Sequence, residues 1–306
     1  MKIGLIDVDG HNFPNLALMK ISAWHKQQGD SVEWYEPLWG GYYDKVYMSK
    51  VFSFTPDYEY PINADKVVKG GTGYNIELAD EKEIYTKDKD LIYPIEHIMP
   101  DYSLYGITDT CYGFMTRGCP RGCEFCIVGE KEGRRSITVA PLKEFWNGQK
   151  NIVLLDPNPI AAREWKDNLQ QLIDSRSYVD FNQGIDIRLM TKEKAEYIKQ
   201  IRIKSIHFAW DRYEDKKMII PKFEMFRSVT GWDHHKMQVY VLTNFDTTFD
   251  QDLERAYTLR DLGYAPYIMI YNKENLPKGH KLRKLQRYVN MRSIFNSVPR
   301  FEDYRR

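Results

Sequence analysis

Cysteine is scarce in this 306-residue chain, and what there is of it is crowded: of four cysteines, three fall at Cys119, Cys123 and Cys126. A disulfide framework would spread its cysteines to close long loops, so this distribution excludes one and points to a metal. No apolar run approaches the ~20 residues that span a bilayer, so no membrane-crossing helix and no membrane partner are expected. The opening stretch, MKIGLIDVDGHNF, reaches acidic residues by Asp7 and lacks the apolar core of a secretion signal, which predicts a cytoplasmic protein. A charge excess is missing too: the net charge of +1 does not advertise a polyanionic partner for the chain as a whole. With 42% hydrophobic and 28% charged residues, wholesale disorder is excluded.

The even balance hides one asymmetry. Nine of the 44 Lys and Arg residues, but only Glu302 and Asp303 among the acids, lie after Pro277. Leu282, Leu285 and Val289 recur there at helical spacing, with Lys281, Lys284 and Arg287 off that stripe. The pattern predicts a basic amphipathic helical extension over 276–306. Its cations have two readings: the wet face of a packed helix, or a docking surface for RNA or another polyanion.

Hydrophobic patterning organises the rest. Lys2 to Gly10 reads as a strand ending in a turn, Asn15 to Gln28 as a helix with Leu16, Met19, Ala23 and Trp24 on one face, and Ser31 to Tyr35 as a second strand. Asp44 to Phe54 and Ala64 to Val68 supply further strands, the latter entering the turn Gly70-Gly71-Thr72-Gly73. Residues 1–100 therefore read as a Rossmann-like, doubly wound α/β domain, with 80–90 and 93–101 as connecting structure. From Tyr112 onward strands recur about every 30 residues, at 112–116, 151–155, 180–189, 205–209, 238–243 and 267–271. Helices are expected between them from 161, 192, 218 and 251. Six strands in ~170 residues predict a partial (β/α)6 barrel over 101–275, shorter than the ~250 residues of a full one.

The cysteine cluster, Gly118-Cys119-Pro120-Arg121-Gly122-Cys123-Glu124-Phe125-Cys126, has the spacing C-x3-C-x2-C directly after the first barrel strand. Soft thiolates at this density suit zinc or an iron–sulfur cluster. A structural zinc site wants four protein ligands, and Cys111, across the strand, reads as a small buried residue.

This cluster, with Phe125 before its last cysteine, resembles the signature of the radical S-adenosylmethionine (SAM) superfamily. The resemblance implies a [4Fe–4S] cluster on Cys119, Cys123 and Cys126, with its fourth iron chelated by SAM. It implies reductive cleavage to a 5′-deoxyadenosyl radical acting on a substrate that the chain does not name, and an electron donor such as flavodoxin or ferredoxin. It also implies SAM contacts: Phe125 near adenine, Asp156 and Asn158 after the second strand in place of the usual Gly-Gly-Glu, Asp186 and Arg188 ending the third with side chains on one face, and Asp211 ending the fourth near the ribose.

Residues 1–100 resemble the cobalamin-binding domain that precedes the barrel in one branch of that superfamily. The cobalamin-ligating pattern Asp-x-His-x-x-Gly is absent, however: Asp9-Gly10-His11 is followed by Pro14 where glycine belongs. Cobalamin is not expected. Two other readings stay open. One is an RNA-modifying methyltransferase or methylthiotransferase of the same kind, the latter needing more cysteines than Cys111 provides. The other is a non-catalytic metal-binding protein. The pair His234-His235 reads as a solvated loop.

Overall fold

A computed structural model describes residues 1–79, 82–85 and 91–305. They fall into two compact units, Met1–Ile152 and Val153–Arg306.

The first unit is built on a parallel sheet of β1 (Lys2–Asp7), β2 (Ser31–Trp34), β3 (Tyr43–Ser49) and β4 (Ala64–Gly70), in the order β2-β1-β3-β4. The crossover from β1 to β2 is α1 (Leu16–Gln27), begun by the Asn15 side chain, which accepts from the Leu18 amide. The expected apolar face of α1 is corrected. Its buried residues are Leu18, Met19, Ile21, Ser22 and His25. Two polar groups lie inward because distant partners satisfy them: Ser22 donates to Asp101 (2.6 Å), and His25 bridges Asp30 (2.6 Å) and the Tyr47 hydroxyl (2.9 Å).

A doubly wound domain would carry helices on both faces of its sheet. Here β2–β3 and β3–β4 are joined without a helix. One face is covered by α1 with Leu91, Ile95 and Leu104, the other by Tyr35, Tyr58 and Ile62. The expected connecting stretch is corrected as well: β5 (Ile76–Ala79) and β6 (Lys82–Tyr85) pair antiparallel. Residues 80–81 and 86–90 of that stretch lie outside the described ones. Beyond α2 (Tyr93–Glu96) come β7 (Thr110–Gly113) and β8 (Thr116–Arg117), then α3 (Val128–Lys131) and β9 (Ile137–Thr138), which pairs with β8. The single strand expected over 112–116 is thus two short ones.

In the second unit, strand and helix alternate: β10 (Asn151–Leu154), α4 (Trp165–Ser175), β11 (Tyr178–Ile185), α5 (Lys192–Gln200), β12 (Ile203–Ala209), α6 (Lys216–Thr230), β13 (Met237–Thr243), α7 (Phe249–Asp261) and β14 (Ala265–Ile270). Strands β10 to β14 lie side by side in sequence order, and the pairs from β11 onward are parallel. In β13 burial alternates strictly, Met237, Val239, Val241 and Thr243 inward and Gln238, Tyr240 and Leu242 half-exposed. One face of this sheet therefore packs on helices while the other is polar and aromatic.

The basic tail folds as α8 (Lys281–Asn290) and α9 (Arg292–Ser297). Leu282, Leu285 and Val289 are buried as their spacing predicts, joined by Tyr288. Leu285 is fully buried and Arg287 exposed on the same helix. Leu285→Ala should cost about 2–5 kcal/mol and Arg287→Ala within about 0.5 kcal/mol. Urea midpoints of the two variants should differ accordingly, and equal midpoints would show that the stripe is not core.

Candidate functional site

The chemistry-bearing residues lie in both units. In the first, β7 and β8 deliver the chain into the cysteine loop. Gly118 sits at φ +84°, and a Cβ there would meet the Arg135 carbonyl at 2.1 Å. Only glycine allows this reversal beside a neighbouring strand. The Gly118 amide donates to the Glu132 carboxylate (3.1 Å), and the Cys119 amide to the Gly133 carbonyl (3.1 Å). A second turn is closed by the Cys126 amide on the Cys123 carbonyl (3.1 Å). Glu132 is itself held by Arg117 (3.1 Å), whose guanidinium lies 3.6 Å from the centre of the Phe114 ring. The loop is therefore tied at both ends by groups of its own unit. Cys119, Cys123 and Phe125 are half-buried and Cys126 exposed. Cys111 is fully buried in β7, and burial pushes its thiol up to about 12.

The same unit shows what the Gly70–Gly73 turn does. A Cβ on Gly71 would meet the Lys50 carbonyl at 2.4 Å, and one on Gly73 the Phe52 carbonyl at 2.7 Å. Asp9 accepts from the Phe52 amide (3.3 Å) and the Thr55 hydroxyl (2.6 Å), and His11 stacks on Trp34 at 4.1 Å. Gly71 and Gly73 thus lie against the backbone of residues 50–52, and His11 rests on an aromatic ring.

In the second unit Asp156 and Asn158 follow β10 and are almost wholly buried. Asp186 and Arg188 are brought together, but not by strand alternation: β11 ends at Ile185, and Asp186 starts a 3-10 turn. Its carboxylate accepts from the Arg188 amide (3.0 Å) and the Arg188 Nε (2.7 Å). Arg188 reaches on to Asp215 at 3.1 Å. Asp211 is no surface charge. Burial pushes its carboxyl up to about 6, against the pull of the Arg255 and Arg188 guanidinia.

Arg255 is the residue that sequence reasoning missed. Fully buried, it donates to the carbonyls of Trp210 (2.6 Å), Asp211 (2.9 Å) and Leu242 (2.7 Å), and pairs with Asp252 at 2.6 Å. The signal available was Asp252 and Arg255 three apart on α7, in line with the buried Ala256 and Leu259.

No protein-family model and no curated protein matches the sequence. Among solved structures, the fold is similar to that of the radical S-adenosylmethionine methyltransferase TsrM from Kitasatospora setae, determined with cobalamin and a [4Fe-4S] cluster bound. That alignment has a TM-score of 0.57 at 10% identity and covers 88% of this chain and 74% of that one. Streptococcus suis SuiB, determined with S-adenosylmethionine, aligns at a TM-score of 0.42 and 14% identity over 61% of this chain and 44% of that one, too low to bear on the fold. The TsrM likeness establishes a mixed α/β fold of the kind found in a radical SAM enzyme.

Asp211 makes stability depend on pH with a definite sign. Its folded-state pKa of about 6 lies above the unfolded value of about 3.9. The charged form therefore opposes folding at pH 7, and the opposition is relieved as pH falls through 6. Asp211→Asn should be the more stable protein at pH 7, by no more than about 3 kcal/mol, and the gap in urea midpoint should close toward pH 5. A gap that stays constant or widens on acidification would refute the assignment.

Proposed function

We propose that this chain is a radical SAM enzyme. The observation that carries the reading is the cysteine loop: three soft thiols within eight positions, on a backbone folded back by Gly118 and tied through Glu132 and Gly133. That donor set fits a [4Fe–4S] cluster with one iron open, because Cys111 is sealed inside β7 as a neutral thiol. The TsrM-like fold supports the class.

In this reading Cys119, Cys123 and Cys126 hold the cluster as thiolates. Such a cluster would supply reductive cleavage of SAM to a 5′-deoxyadenosyl radical, with its electron coming from a flavodoxin- or ferredoxin-like donor. The protein's share is binding and orientation. Phe125 packs against adenine. Asp156 and Asn158 take hydrogen bonds from the ammonium group, and Asp211 accepts from the ribose hydroxyls through its two oxygens. Asp186 fixes Arg188, leaving the guanidinium aimed by its own ion pairs. Methylthiolation is disfavoured, since a second cluster would need further accessible cysteines. Cobalamin is not required: TsrM holds it, but here the Gly70–Gly73 turn is packed by Lys50 and Phe52.

Anaerobically reconstituted protein should carry about four irons per chain and release 5′-deoxyadenosine when reduced with SAM and no added corrin. Any one of Cys119→Ala, Cys123→Ala or Cys126→Ala should abolish the release, and Cys111→Ala should leave it. A colourless zinc protein, or turnover that survives Cys123→Ala, would sink the reading in favour of a non-catalytic metal protein.

For the basic tail we propose the packed-helix reading over RNA binding. Lys281 sits 4.5 Å over Phe249, Lys284 lies 5.6–5.7 Å over Phe301 and Tyr304, and Arg283 donates to the Lys273 and Leu276 carbonyls. These cations are engaged with their own unit. Bulk tRNA should show no salt-dependent binding that a Lys281/Lys284/Arg287→Ala variant removes. Binding that falls steeply with salt and is lost in that variant would instead make the substrate a polyanion.

A further inference from the structure

The loop Gly231–Lys236 joins α6 to β13, and its side chains have no part in the SAM chemistry proposed for the chain. Gly231 closes α6 in the left-handed conformation, at φ +70°, its amide on the Arg227 carbonyl (2.8 Å). The chain then turns tightly: the Asp233 carbonyl accepts from both the Lys236 and Met237 amides at 3.0 Å, and the Asp233 side chain accepts from the His235 amide at 2.9 Å. Trp232 anchors the turn edge-on against Phe226, with Lys236 over its other side. The turn is thus built by its own hydrogen bonds.

What it presents is a set of metal ligands. One donor atom from each of Asp233, His234 and His235 lies within 4.8 Å of the others, and the two imidazoles sit with ring centres 4.2 Å apart. Of the other histidines, His11 stacks on Trp34. His25, His97, His207 and His280 each have a ring nitrogen in a hydrogen bond to protein. Among the described residues, His234 and His235 have none. Beside the turn lies a surface cavity of about 490 Å³, walled by Asp233, Trp232, Glu224, Asp261 and Arg227.

We propose that Asp233, His234 and His235 form a binding site for a first-row divalent cation of borderline softness, such as Zn²⁺ or Ni²⁺. Two imidazoles and a carboxylate are the donors that such ions prefer over Mg²⁺ or Ca²⁺. Ligand bonds of about 2.0–2.2 Å around one ion place donors about 3.4 Å apart. Side chains at the surface reach that spacing by rotamer adjustment while the turn's backbone stays fixed. Water fills the remaining positions. Bound metal would stabilise the second unit by mass action.

The test uses the anaerobically reconstituted holoprotein, in which the cysteine loop is filled, dialysed against Ni²⁺ with iron determined in parallel. Wild type should retain one further equivalent of Ni²⁺ and show a rise in thermal midpoint that EDTA reverses. His234→Ala/His235→Ala should lose at least about tenfold in Ni²⁺ affinity and show no midpoint rise, with iron content unchanged. Asp233→Asn, which keeps the acceptor for the His235 amide, should weaken Ni²⁺ less than the double variant. Absence of Ni²⁺ binding, or binding equal in wild type and double variant, would overturn the site. Iron content reads the cysteine loop separately. A preparation without iron would count against the radical SAM reading, and a Cys119/Cys123/Cys126→Ser chain would then decide the Ni²⁺ question.

Discussion

A buried guanidinium holds the ends of β12 and β13 in place. Parallel strands that stop abruptly leave carbonyls at their ends with no ladder partner, and such groups are costly when hidden from water. Arg255 meets three of them, at Trp210, Asp211 and Leu242, with one rigid fork from α7. Asp252, one turn earlier on the same helix, balances the charge, and Thr247 steadies both. A lysine could offer a charge there but not the planar set of donors that two strand ends require. The network commits α7, β12 and β13 to one arrangement. Removing either member of the ion pair would strand the other charge in the interior, and that asymmetry locks the arrangement.

Asp211 follows a strand whose end Arg255 has fixed, and burial raises the pKa of its carboxyl. Arg188 lies between Asp186 and Asp215, its direction set by two carboxylates. The polar face of the sheet is ordered in the same spirit: His207 contacts the Phe181 carbonyl and the Gln238 side chain at 3.0 Å each and lies flat against Tyr240.

The first unit solves a different problem. Its cysteine loop reverses sharply, and Gly118 with Glu132 achieves that without a helix of any length. Its sheet has lost the helices that would flank β3 and β4 in a doubly wound domain, and aromatic loops fill the space. The 50–55 loop lies beside the glycine turn and is tied to Asp9.

Much is legible in the order of residues alone: the cysteine spacing, the strand–helix alternation from 151 to 270, and the amphipathic stripe of α8 all depend on near neighbours in sequence. Periodicity and spacing are local quantities, so local reading recovers them. It fails where burial is satisfied from afar. The inward face of α1 contains Ser22 and His25, which no apolar pattern selects, because Asp101 and Tyr47 complete their hydrogen bonds. The raised pKa of Asp211 and the role of Arg255 were decided by the tertiary structure alone. Each is a matter of what surrounds a charge, and desolvation and partner geometry exist only once the chain has folded around it.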